Sequence, residues 1–278
     1  MEGDIGDHAI LEAGLEGVDI VFHLASALGS SLISKREFQR VNVQGSVALL
    51  KAARAKGVTR FIHVSSAGVL GSVKATDAVD ETFPPRPASV YDQTKLEAER
   101  AALDFSSGAM DVVVVRPGWA YGPRDRRTFK LIKAIHKRRL VVMPKGKALQ
   151  TPVYIDDLVQ GMLLAARSGR KGEIYHVAGK EILSSAEIVT AIARACRKKR
   201  PLLILPLVPS RLAAMALETA FALFRKEAPF SRSKLSFFIH SKPLSVAKAR
   251  EELGYVPEFD FERGLQLTVS WYRKAGWL

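Results

Sequence analysis

The sequence predicts an α/β fold built on a parallel sheet, because short apolar strands alternate along the chain with amphipathic helices. Three strands carry this prediction, at residues 19–25, 60–64 and 111–116. Mostly apolar strands are typical of a sheet that helices cover on both faces. Strand–helix–strand units at this spacing form right-handed crossovers between parallel strands.

The helices between these strands have their own signals. Residues 38–55 place apolar side chains at helical spacing, and Gly57 follows as a C-terminal cap. A second helix is predicted at 91–105, ending near Gly108. The later half adds a helix at 156–167 and a strand at 173–178. The capping box Ser184–Glu187 begins a further helix that runs to Cys196. Two more helices are predicted at 245–253 and 261–274, with Gly254 and Gly276 as their C-terminal caps.

Composition excludes several classes of protein. The chain has 278 residues, of which 47% are hydrophobic and 25% charged, so it is not a disordered tail, a collagen-like repeat or a disulfide-rich miniprotein. Cys196 is the only cysteine, which excludes an internal disulfide and a cysteine-rich zinc site. A reducing compartment fits this composition best.

The net charge is strongly positive, at 42 − 28 = +14. A charge of this size is compatible with nucleic acid, an anionic membrane surface or a phosphorylated ligand as partner. The first residues, MEGDIGDH, are acidic and do not resemble a signal peptide, and no run of 18 apolar residues predicts a membrane span. We therefore expect a soluble cytoplasmic protein.

The motif richest in chemistry is Tyr91-Asp-Gln-Thr-Lys95 at the start of a predicted helix. Spacing by four residues puts the phenol and the ammonium on one helix face. A nearby positive charge lowers the pKa of a tyrosine, which makes the phenol useful for proton transfer at neutral pH. The plain alternative is a surface Tyr/Lys pair.

Two predicted strands end in residues that we expect at the same edge of the sheet as Tyr91. Ser65 and Ser66 follow the strand at 60–64, and Pro117 follows the strand at 111–116. Ligands of open α/β sheets bind at this carboxyl edge. We therefore expect Ser66, Tyr91, Lys95 and Pro117 to converge there.

In this order the motifs resemble the extended short-chain dehydrogenases/reductases, also called NAD-dependent epimerases/dehydratases and including 3β-hydroxysteroid dehydrogenase-like enzymes. The resemblance runs over nearly the whole chain. It implies a Rossmann-like doubly wound parallel sheet in residues 1–123. It also implies a smaller C-terminal α/β substrate lobe, mainly in residues 124–278, with some elements returning to the Rossmann core. The matching motifs are Gly3-Asp4-Ile5, His23-Leu24-Ala25, Asn42 in Val-Asn-Val, Ser65–Gly71, Tyr91–Lys95, Arg116–Pro123, Tyr154–Asp157, 248–257 and Trp271-Tyr272.

The resemblance also implies roles for individual residues. Tyr91 is expected to be the acid/base, Lys95 to lower its pKa and hold the nicotinamide ribose, and Ser66 to hydrogen-bond the reacting oxygen. The cofactor, NAD or NADP, is expected to contact Lys95 together with Asp4, Ile5, Ala25, Ala27, Asn42, Ser65 and Pro117.

The family's first strand leads into a glycine-rich loop that holds the cofactor pyrophosphate. Nothing like G-x-x-G-x-x-G precedes Gly3-Asp4-Ile5. We therefore expect the sequence to be the later part of a longer enzyme, with strand 19–25 as an open apolar sheet edge and weak or no NAD(H) binding. A natural protein that has lost cofactor binding is the alternative.

The activity implied by the resemblance is hydride transfer to or from a secondary alcohol or ketone, in an epimerase or a dehydrogenase. The substrate class is a nucleotide sugar or a 3β-hydroxysteroid-like alcohol. A catalytically silent binding or regulatory protein with the same fold is the alternative. Neither a choice between NAD and NADP nor one between epimerase and dehydrogenase follows from the sequence.

The basic residues after the turn at 121–123 fit two interpretations. Arg124, Arg126 or Arg127 would meet the diphosphate of a nucleotide sugar, or they form an ordinary solvated face. Nucleic acid is not expected as a partner, because aromatic stacking motifs and a recognition helix are missing. The partner is therefore expected to be a small-molecule substrate.

Residues 201–224 are mostly apolar, contain the charged residues Arg211 and Glu218, and follow the basic run 197–200. A helical lid over the substrate lobe is the favoured interpretation, and peripheral docking on a membrane surface is the alternative. Docking would indicate an apolar substrate such as a hydroxysteroid or an isoprenoid alcohol.

Three histidines, His23, His63 and His176, lie inside apolar strands and are expected to be core residues. No His/Asp/Glu spacing resembles a metal site, and none is expected. The family resemblance implies a homodimer formed through the helix carrying Tyr91 and its neighbour.

Overall fold

The computed structural model describes residues 2–28, 33–74, 77–137, 146–198, 207–224 and 232–278. Its strands in chain order are β1 (Ile20–His23), β2 (Arg60–Val64), β3 (Asp111–Pro117), β4 (Trp119–Tyr121), β5 (Leu149–Gln150), β6 (Pro152–Tyr154), β7 (Ile174–Val177) and β8 (Leu183–Ser184). Its helices are α1 (His8–Gly14), α2 (Lys35–Phe38), α3 (Ser46–Ala55), α4 (Val90–Phe105), α5 (Arg126–His136), α6 (Ile155–Ser168), α7 (Ser185–Ala195), α8 (Leu207–Leu223), α9 (Arg232–Ile239), α10 (Ala247–Leu253) and α11 (Phe261–Lys274).

The main sheet has four parallel strands in the order β1-β2-β3-β7. This confirms the predicted α/β class and the strands that the apolar runs indicated. β2 has the predicted bounds, whereas β1 is shorter than residues 19–25. The carboxyl ends of β1, β2 and β3 lie together, since all strands of the sheet run the same way.

Helices cover both faces of this sheet. On one face, α1, α3 and α4 pack around Leu50, Phe61 and Val112. On the other, α6 and α10 pack around Ile62, Val113 and Tyr175. The apolar composition of the strands follows from this double burial.

A separate core forms where α5, α7 and α11 meet. Ile132, Ile188 and Leu265 are fully buried there. Two small sheets flank this core, one pairing β4 with β6 in parallel and the other pairing β5 with β8 in antiparallel orientation. The capping box of Ser184 and Glu187 opens α7 as predicted, and Gly254 ends α10 in the left-handed conformation at φ 69°. The division of the chain at residue 123 stays a prediction.

The helix predicted at 38–55 is present, but its middle is π-helical. Residues Gln39–Gly45 form the π-helical turns that join α2 to α3. The apolar spacing in the sequence gave no sign of this departure. Gly45 lies so close to Ile5 that a Cβ there would meet Ile5 Cγ2 at 2.5 Å, which accounts for a glycine at the end of the π-helical turns.

The edge of the sheet at β1 is apolar and open in the described residues. Ile20 and Phe22 are 44% and 37% exposed, and Leu24 just beyond the strand is also exposed. This agrees with the expected apolar edge. Among the same described residues, no helix is long and apolar enough to cross a membrane.

A buried ion pair fastens α4 to β3. Arg116 donates two hydrogen bonds to the Glu99 carboxylate, from Nη2 to Oε1 at 2.6 Å and from Nε to Oε2 at 3.0 Å. The Ser65 hydroxyl donates to the same carboxylate at 2.6 Å. Glu99 and Arg116 are both almost completely buried. Three elements that lead to the carboxyl edge are therefore joined at one carboxylate.

Replacing Glu99→Gln is expected to lower the free energy of unfolding by about 3–5 kcal/mol, because the buried Arg116 guanidinium loses its counter-charge. Chemical denaturation measures this change. Glu262→Gln is the matched control, since the Arg194–Glu262 pair is exposed and its loss should change stability by about 1 kcal/mol or less.

The double variant Glu99→Leu/Arg116→Leu separates charge from packing. It should recover much of the lost stability, since replacing both partners by apolar groups leaves no buried charge. A double variant as unstable as Glu99→Gln would contradict the assignment of the loss to an uncompensated charge.

The predicted core histidines are buried in the sheet. His23 on β1 and His63 on β2 have ring centroids 5.5 Å apart, and His176 lies on β7. His23 Nε2 is 2.7 Å from the Ser46 hydroxyl oxygen. Burial, with a smaller effect from the Lys95 charge, lowers the pKa of His23 from 6.5 to about 4. The folded state therefore holds His23 neutral.

His23 should make the protein lose stability in mild acid. Between pH 6.5 and 4 the unfolded chain binds a proton at His23 and the folded chain does not, so stability falls as pH falls through this window. A fall in pKa of this size corresponds to about 3 kcal/mol. Denaturation at several pH values should show a shallower pH dependence for His23→Gln than for the wild type.

His8→Gln is the control for this experiment, because the His8 side chain is exposed. It should keep the wild-type pH dependence. An unchanged pH dependence in His23→Gln would show that other groups account for the acid sensitivity.

Candidate active site

Four segments meet at the carboxyl edge of the sheet. They are residues 24–28 after β1, residues 65–70 after β2, the end of β3 at Pro117, and the first turns of α4. From two strand ends and the Tyr91–Lys95 motif, the sequence predicted that Ser66, Tyr91, Lys95 and Pro117 converge here; the segment after β1 was not part of that prediction.

Tyr91 lies in the first turn of α4 and is partly buried. The Ser66 and Ser26 side chains lie near enough to its hydroxyl to lower the pKa of the phenol. The Phe38 ring packs edge-on against the phenol, with ring centroids 6.3 Å apart. The phenol is thus oriented by two hydroxyls and one ring.

The loop after β2 is pressed onto the start of α4. Ser89 caps the helix by accepting a hydrogen bond from the Asp92 backbone N–H at 3.1 Å. A Cβ at Gly68 would meet the Asp92 carboxylate at 2.0 Å, so a larger residue there would require the Asp92 side chain to move. Ser66 in turn accepts a hydrogen bond from the Gly68 N–H at 3.0 Å. This contact brings the Ser66 hydroxyl to Tyr91.

The pKa of Tyr91 differs from the sequence expectation. We expected Lys95 to lower it, but burial raises the pKa of the phenol above 10.0. The Arg127 charge and the Ser66 and Ser26 hydrogen bonds lower the pKa by less than burial raises it. The expectation was wrong because it took account of the Lys95 charge but not of the loss of water around the Tyr91 hydroxyl, which raises the pKa.

Lys95 is buried one turn after Tyr91. Its ammonium donates a hydrogen bond to the Val64 carbonyl oxygen at 2.6 Å, at the end of β2. Burial lowers the pKa of Lys95 to about 8, and the Glu99 carboxylate limits that fall. Tyr91, Lys95 and Glu99 are spaced by four residues and so share one helix face.

Asn42 connects the π-helical turns to the segment after β1. Its side-chain oxygen accepts hydrogen bonds from the Ala27 N–H at 2.7 Å and from the Ser26 hydroxyl at 3.1 Å. Its amide nitrogen donates to the Thr94 hydroxyl at 3.0 Å and to the Ala27 carbonyl oxygen at 3.3 Å. The buried amide therefore fixes residues 26 and 27 against α4.

The predicted cofactor residues near the start of the chain lie beside the π-helical turns. Arg40 binds the Asp4 carboxylate through two hydrogen bonds of 2.8 and 3.0 Å. Hydrogen bonding by Arg40 lowers the pKa of Asp4 to about 2. Ile5 packs against Gly45, and Ala25 is exposed just past β1. Their cofactor contacts stay a prediction.

Two more predicted residues lie deeper in the site. Ser65 is buried and its hydroxyl is used by Glu99, so its oxygen is directed into the core. Pro117 ends β3, and the next residue, Gly118, passes so close to Thr151 that a Cβ would lie 2.2 Å from its carbonyl oxygen. Contacts of Ser65 and Pro117 with a cofactor also stay predictions.

Arg127 is one of the basic residues proposed for substrate binding, and its positive charge lowers the pKa of the Tyr91 phenol. Arg124 is exposed with φ 67°, and the Arg126 guanidinium lies over the Trp277 ring at 5.6 Å. A substrate role for Arg124 and Arg126 stays a prediction.

Sequence reasoning missed Ser26, Thr94 and Lys242. Ser26 lies between two predicted cofactor residues, so the segment itself pointed to it. Thr94 is inside the Tyr91–Lys95 motif, where only the two ends were considered. Lys242 precedes α10 and has no motif. Burial lowers its pKa, and the charges of Asp92 and Arg127 also act on it.

Within the described ranges, no three His, Cys, Asp or Glu side chains are grouped to hold a metal ion. The site instead offers the Tyr91 phenol, with the Ser66 and Ser26 hydroxyls and the Arg127 charge acting on it, and the Lys95 ammonium bound at the end of β2. Such a set can donate or accept one proton and stabilise a developing negative charge on oxygen.

Known proteins share this fold and sequence. Residues 1–178 match the NAD dependent epimerase/dehydratase family. A 4-hydroxy-2-methyl-3-oxo-4-farnesyl-3,4-dihydroquinoline-1-oxide ketoreductase of Stigmatella aurantiaca is 30% identical over 279 residues, covering 99% of this chain and 82% of that relative. A 3 beta-hydroxysteroid dehydrogenase/Delta 5→4-isomerase of Mycobacterium tuberculosis is 27% identical, covering 98% of this chain and 78% of the relative.

A solved structure has the same architecture. The dTDP-glucose 4,6-dehydratase of Streptomyces venezuelae, solved with NAD bound, superimposes with a TM-score of 0.79 and 27% identity, covering 99% of this chain and 80% of the other. This likeness identifies the parallel sheet and its helices as a Rossmann-like fold. With more than half of its residues matching the family model, the chain belongs to the NAD dependent epimerase/dehydratase family.

Proposed function

We propose that this chain is an NAD-dependent oxidoreductase that interconverts a secondary alcohol and a ketone. The grouping of the Tyr91, Ser66 and Ser26 hydroxyls at the carboxyl edge of the sheet carries the proposal, and hydrogen bonds to Asn42 and from Gly68 hold the two serines in place. Membership of an NAD-dependent family and relatives named as a ketoreductase and a dehydrogenase support it.

Tyr91 is the proton donor in the direction of ketone reduction. Because burial raises the pKa of its phenol, the hydroxyl carries its proton at neutral pH. A substrate oxygen beside Tyr91 and Ser66 accepts that proton as negative charge develops on it. Arg127 and the serine hydroxyls stabilise the phenolate that remains, since each of them lowers the pKa of Tyr91.

The residues present fit the nicotinamide end of an NAD cofactor. NAD, when bound, supplies or accepts the hydride. Lys95 has a lowered pKa and a buried ammonium beside the end of β2, where a ribose hydroxyl would find a donor. Asn42 holds Ser26 and Ala27 in one fixed position along the same edge. The 278 residues contain no G-x-x-G-x-x-G sequence for the phosphates.

Arg127 and Lys242 favour a substrate with an anionic group. The Arg127 charge acts on Tyr91, and Lys242 is affected by the charges of Asp92 and Arg127. A nucleotide sugar, with its diphosphate, matches this charge. A hydroxysteroid or an isoprenoid ketone lacks it, although one relative is named for a farnesyl-bearing substrate and another for a hydroxysteroid.

Tyr91→Phe is the variant that tests the proposal. Turnover should fall by about 10²–10⁴-fold, because general acid–base catalysis typically contributes that much. NADH absorbance measures net oxidation of a 3β-hydroxysteroid, and chromatography of the sugar nucleotide measures conversion of dTDP-glucose, in which the hydride can return to the sugar with no net NADH formed; together the two readouts distinguish the substrate classes. NAD affinity, measured by calorimetry, is expected to be weak because the 278 residues contain no G-x-x-G-x-x-G sequence, and the variant should keep the wild-type value.

Tyr175→Phe is the control, since this tyrosine is buried against α6 and α10 and hydrogen-bonds to Glu252 instead. It should keep wild-type turnover. Wild-type protein that binds NAD yet turns over neither substrate class would support the alternative of a catalytically silent binding protein. Equal turnover in Tyr91→Phe and wild type would refute the role of the phenol.

A further inference from the structure

A series of buried hydrogen bonds runs from His23 on β1 to the π-helical turns. The Ser46 hydroxyl oxygen lies 2.7 Å from His23 Nε2, and the same hydroxyl donates to the Asn42 backbone carbonyl oxygen at 2.6 Å. All three residues are almost completely buried. Water therefore does not compete for these hydrogen bonds, and each polar atom depends on its protein partner.

The number of hydrogens available fixes which nitrogen of His23 is protonated. A hydroxyl has one hydrogen to donate, and a carbonyl oxygen can only accept. Because the Ser46 hydrogen is used on the Asn42 carbonyl, the Ser46 oxygen has to accept in its other contact. His23 Nε2 therefore carries a hydrogen and donates it to Ser46. Since the ring is neutral at pH 7, Nδ1 carries no hydrogen.

The Ser46 hydroxyl makes a hydrogen bond that a backbone amide would make in a regular helix. In an α-helix the Ser46 N–H would donate to the Asn42 carbonyl oxygen, four residues earlier. Here that N–H donates to the Val43 carbonyl oxygen, and the Ser46 hydroxyl binds the Asn42 carbonyl oxygen instead. The hydrogen bond from His23 holds the hydroxyl in this orientation. A side chain of β1 thus stabilises the backbone at Asn42.

Asn42 is connected to Tyr91 by two routes. Its side-chain oxygen accepts a hydrogen bond from Ser26 at 3.1 Å, and Ser26 lies near enough to the phenol to lower its pKa. Its side-chain nitrogen donates to the Thr94 hydroxyl at 3.0 Å, and that hydroxyl donates to the Tyr91 backbone carbonyl oxygen at 2.9 Å. A displacement of Asn42 would therefore disturb both the phenol and the backbone of Tyr91.

We propose that His23 is a positioning residue for Tyr91, which it orients through the Ser46 hydroxyl and Asn42. Its ring is buried in the sheet and acts on the site only through these hydrogen bonds. Without the Nε2 hydrogen, the Ser46 hydroxyl would lose the contact that directs it toward Asn42. The inference rests on the proposed function for the role of Tyr91 as proton donor, but the hydrogen bonds themselves are testable without a substrate.

Nitrogen NMR of the histidine rings at pH 7 tests the first hydrogen bond in the wild-type protein. The His23 signals, assigned by their loss in His23→Gln, should show a hydrogen on Nε2 and none on Nδ1. A ring with its hydrogen on Nδ1 alone would overturn the proposal, because Nε2 could not then donate to Ser46. This measurement does not depend on the folding of a destabilised variant.

Hydrogen exchange at the Ala27 amide tests the contacts beyond Ser46, since this N–H donates to the Asn42 side-chain oxygen at 2.7 Å. In His23→Leu, the Ala27 amide should exchange about tenfold faster, while the amide of Ile62 on β2 keeps its wild-type rate. His23→Gln, whose side-chain amide can donate in place of Nε2, should restore slow exchange at Ala27. Equal acceleration at Ala27 and Ile62 would indicate a general loss of stability and overturn the proposal.

His176→Leu is the matched control. His176 is also a buried histidine of the sheet, but it lies on β7, which β2 and β3 separate from β1. The variant should keep slow exchange at Ala27 and wild-type turnover. Faster exchange at Ala27 in His176→Leu, equal to that in His23→Leu, would overturn the assignment of the effect to the hydrogen bond from His23.

Turnover separates this proposal from the proposed function. With a substrate that the wild type converts, His23→Leu should lower kcat by about 10–10²-fold with little change in KM, because a misplaced reacting group slows the chemical step. His23→Gln should restore most of kcat. Equal kcat in His23→Leu and the wild type would overturn the role of His23. Wild-type protein that converts no substrate would contradict the proposed function, whereas the two NMR measurements would still decide whether His23 holds Asn42.

Discussion

The candidate site depends on one buried carboxylate, that of Glu99. A lone charge in the interior is strongly unfavourable, so the Arg116 guanidinium and the Ser65 hydroxyl must both stay within hydrogen-bond distance of it. Each partner comes from a different strand end, and Glu99 itself comes from the helix that carries Tyr91. The need to pair the Glu99 charge therefore fixes the distance between the sheet and α4. Ser66 is positioned as well, because it is the next residue after Ser65.

Short polar contacts continue from the surroundings of Glu99 toward the Tyr91 phenol. Lys95 binds the end of β2, Asn42 ties Thr94 to the segment after β1, and Ser26 on that segment reaches Tyr91. The contacts of Lys95 and Asn42 are hydrogen bonds between groups that are wholly or partly buried, where leaving a polar atom without a partner is costly. The result is a reacting hydroxyl whose orientation is set by the core, while its open side faces the carboxyl edge of the sheet.

The sequence predicted the sheet and the gathering of residues because both follow from local rules. Apolar runs identified β2 and β3 closely, and parallel strands necessarily bring Ser66 and Pro117 to one edge. The pKa of Tyr91 was predicted in the wrong direction, because burial depends on what packs around the hydroxyl and spacing does not report it. Lys242 was missed for a related reason, since it reaches the site from a segment far along the chain with no motif of its own.

The π-helical turns at Gln39–Gly45 change the directions in which the side chains of α3 point relative to those of α2. In such turns each backbone hydrogen bond spans five residues instead of four, so side chains after the turns point in directions that an unbroken α-helix would not give them. Phe38 can then face the Tyr91 ring while Leu50 faces the sheet. A single-residue deletion here would leave both ends helical yet rotate one against the other by about 100°. The length of this segment, more than its composition, is what evolution or a designer has to preserve.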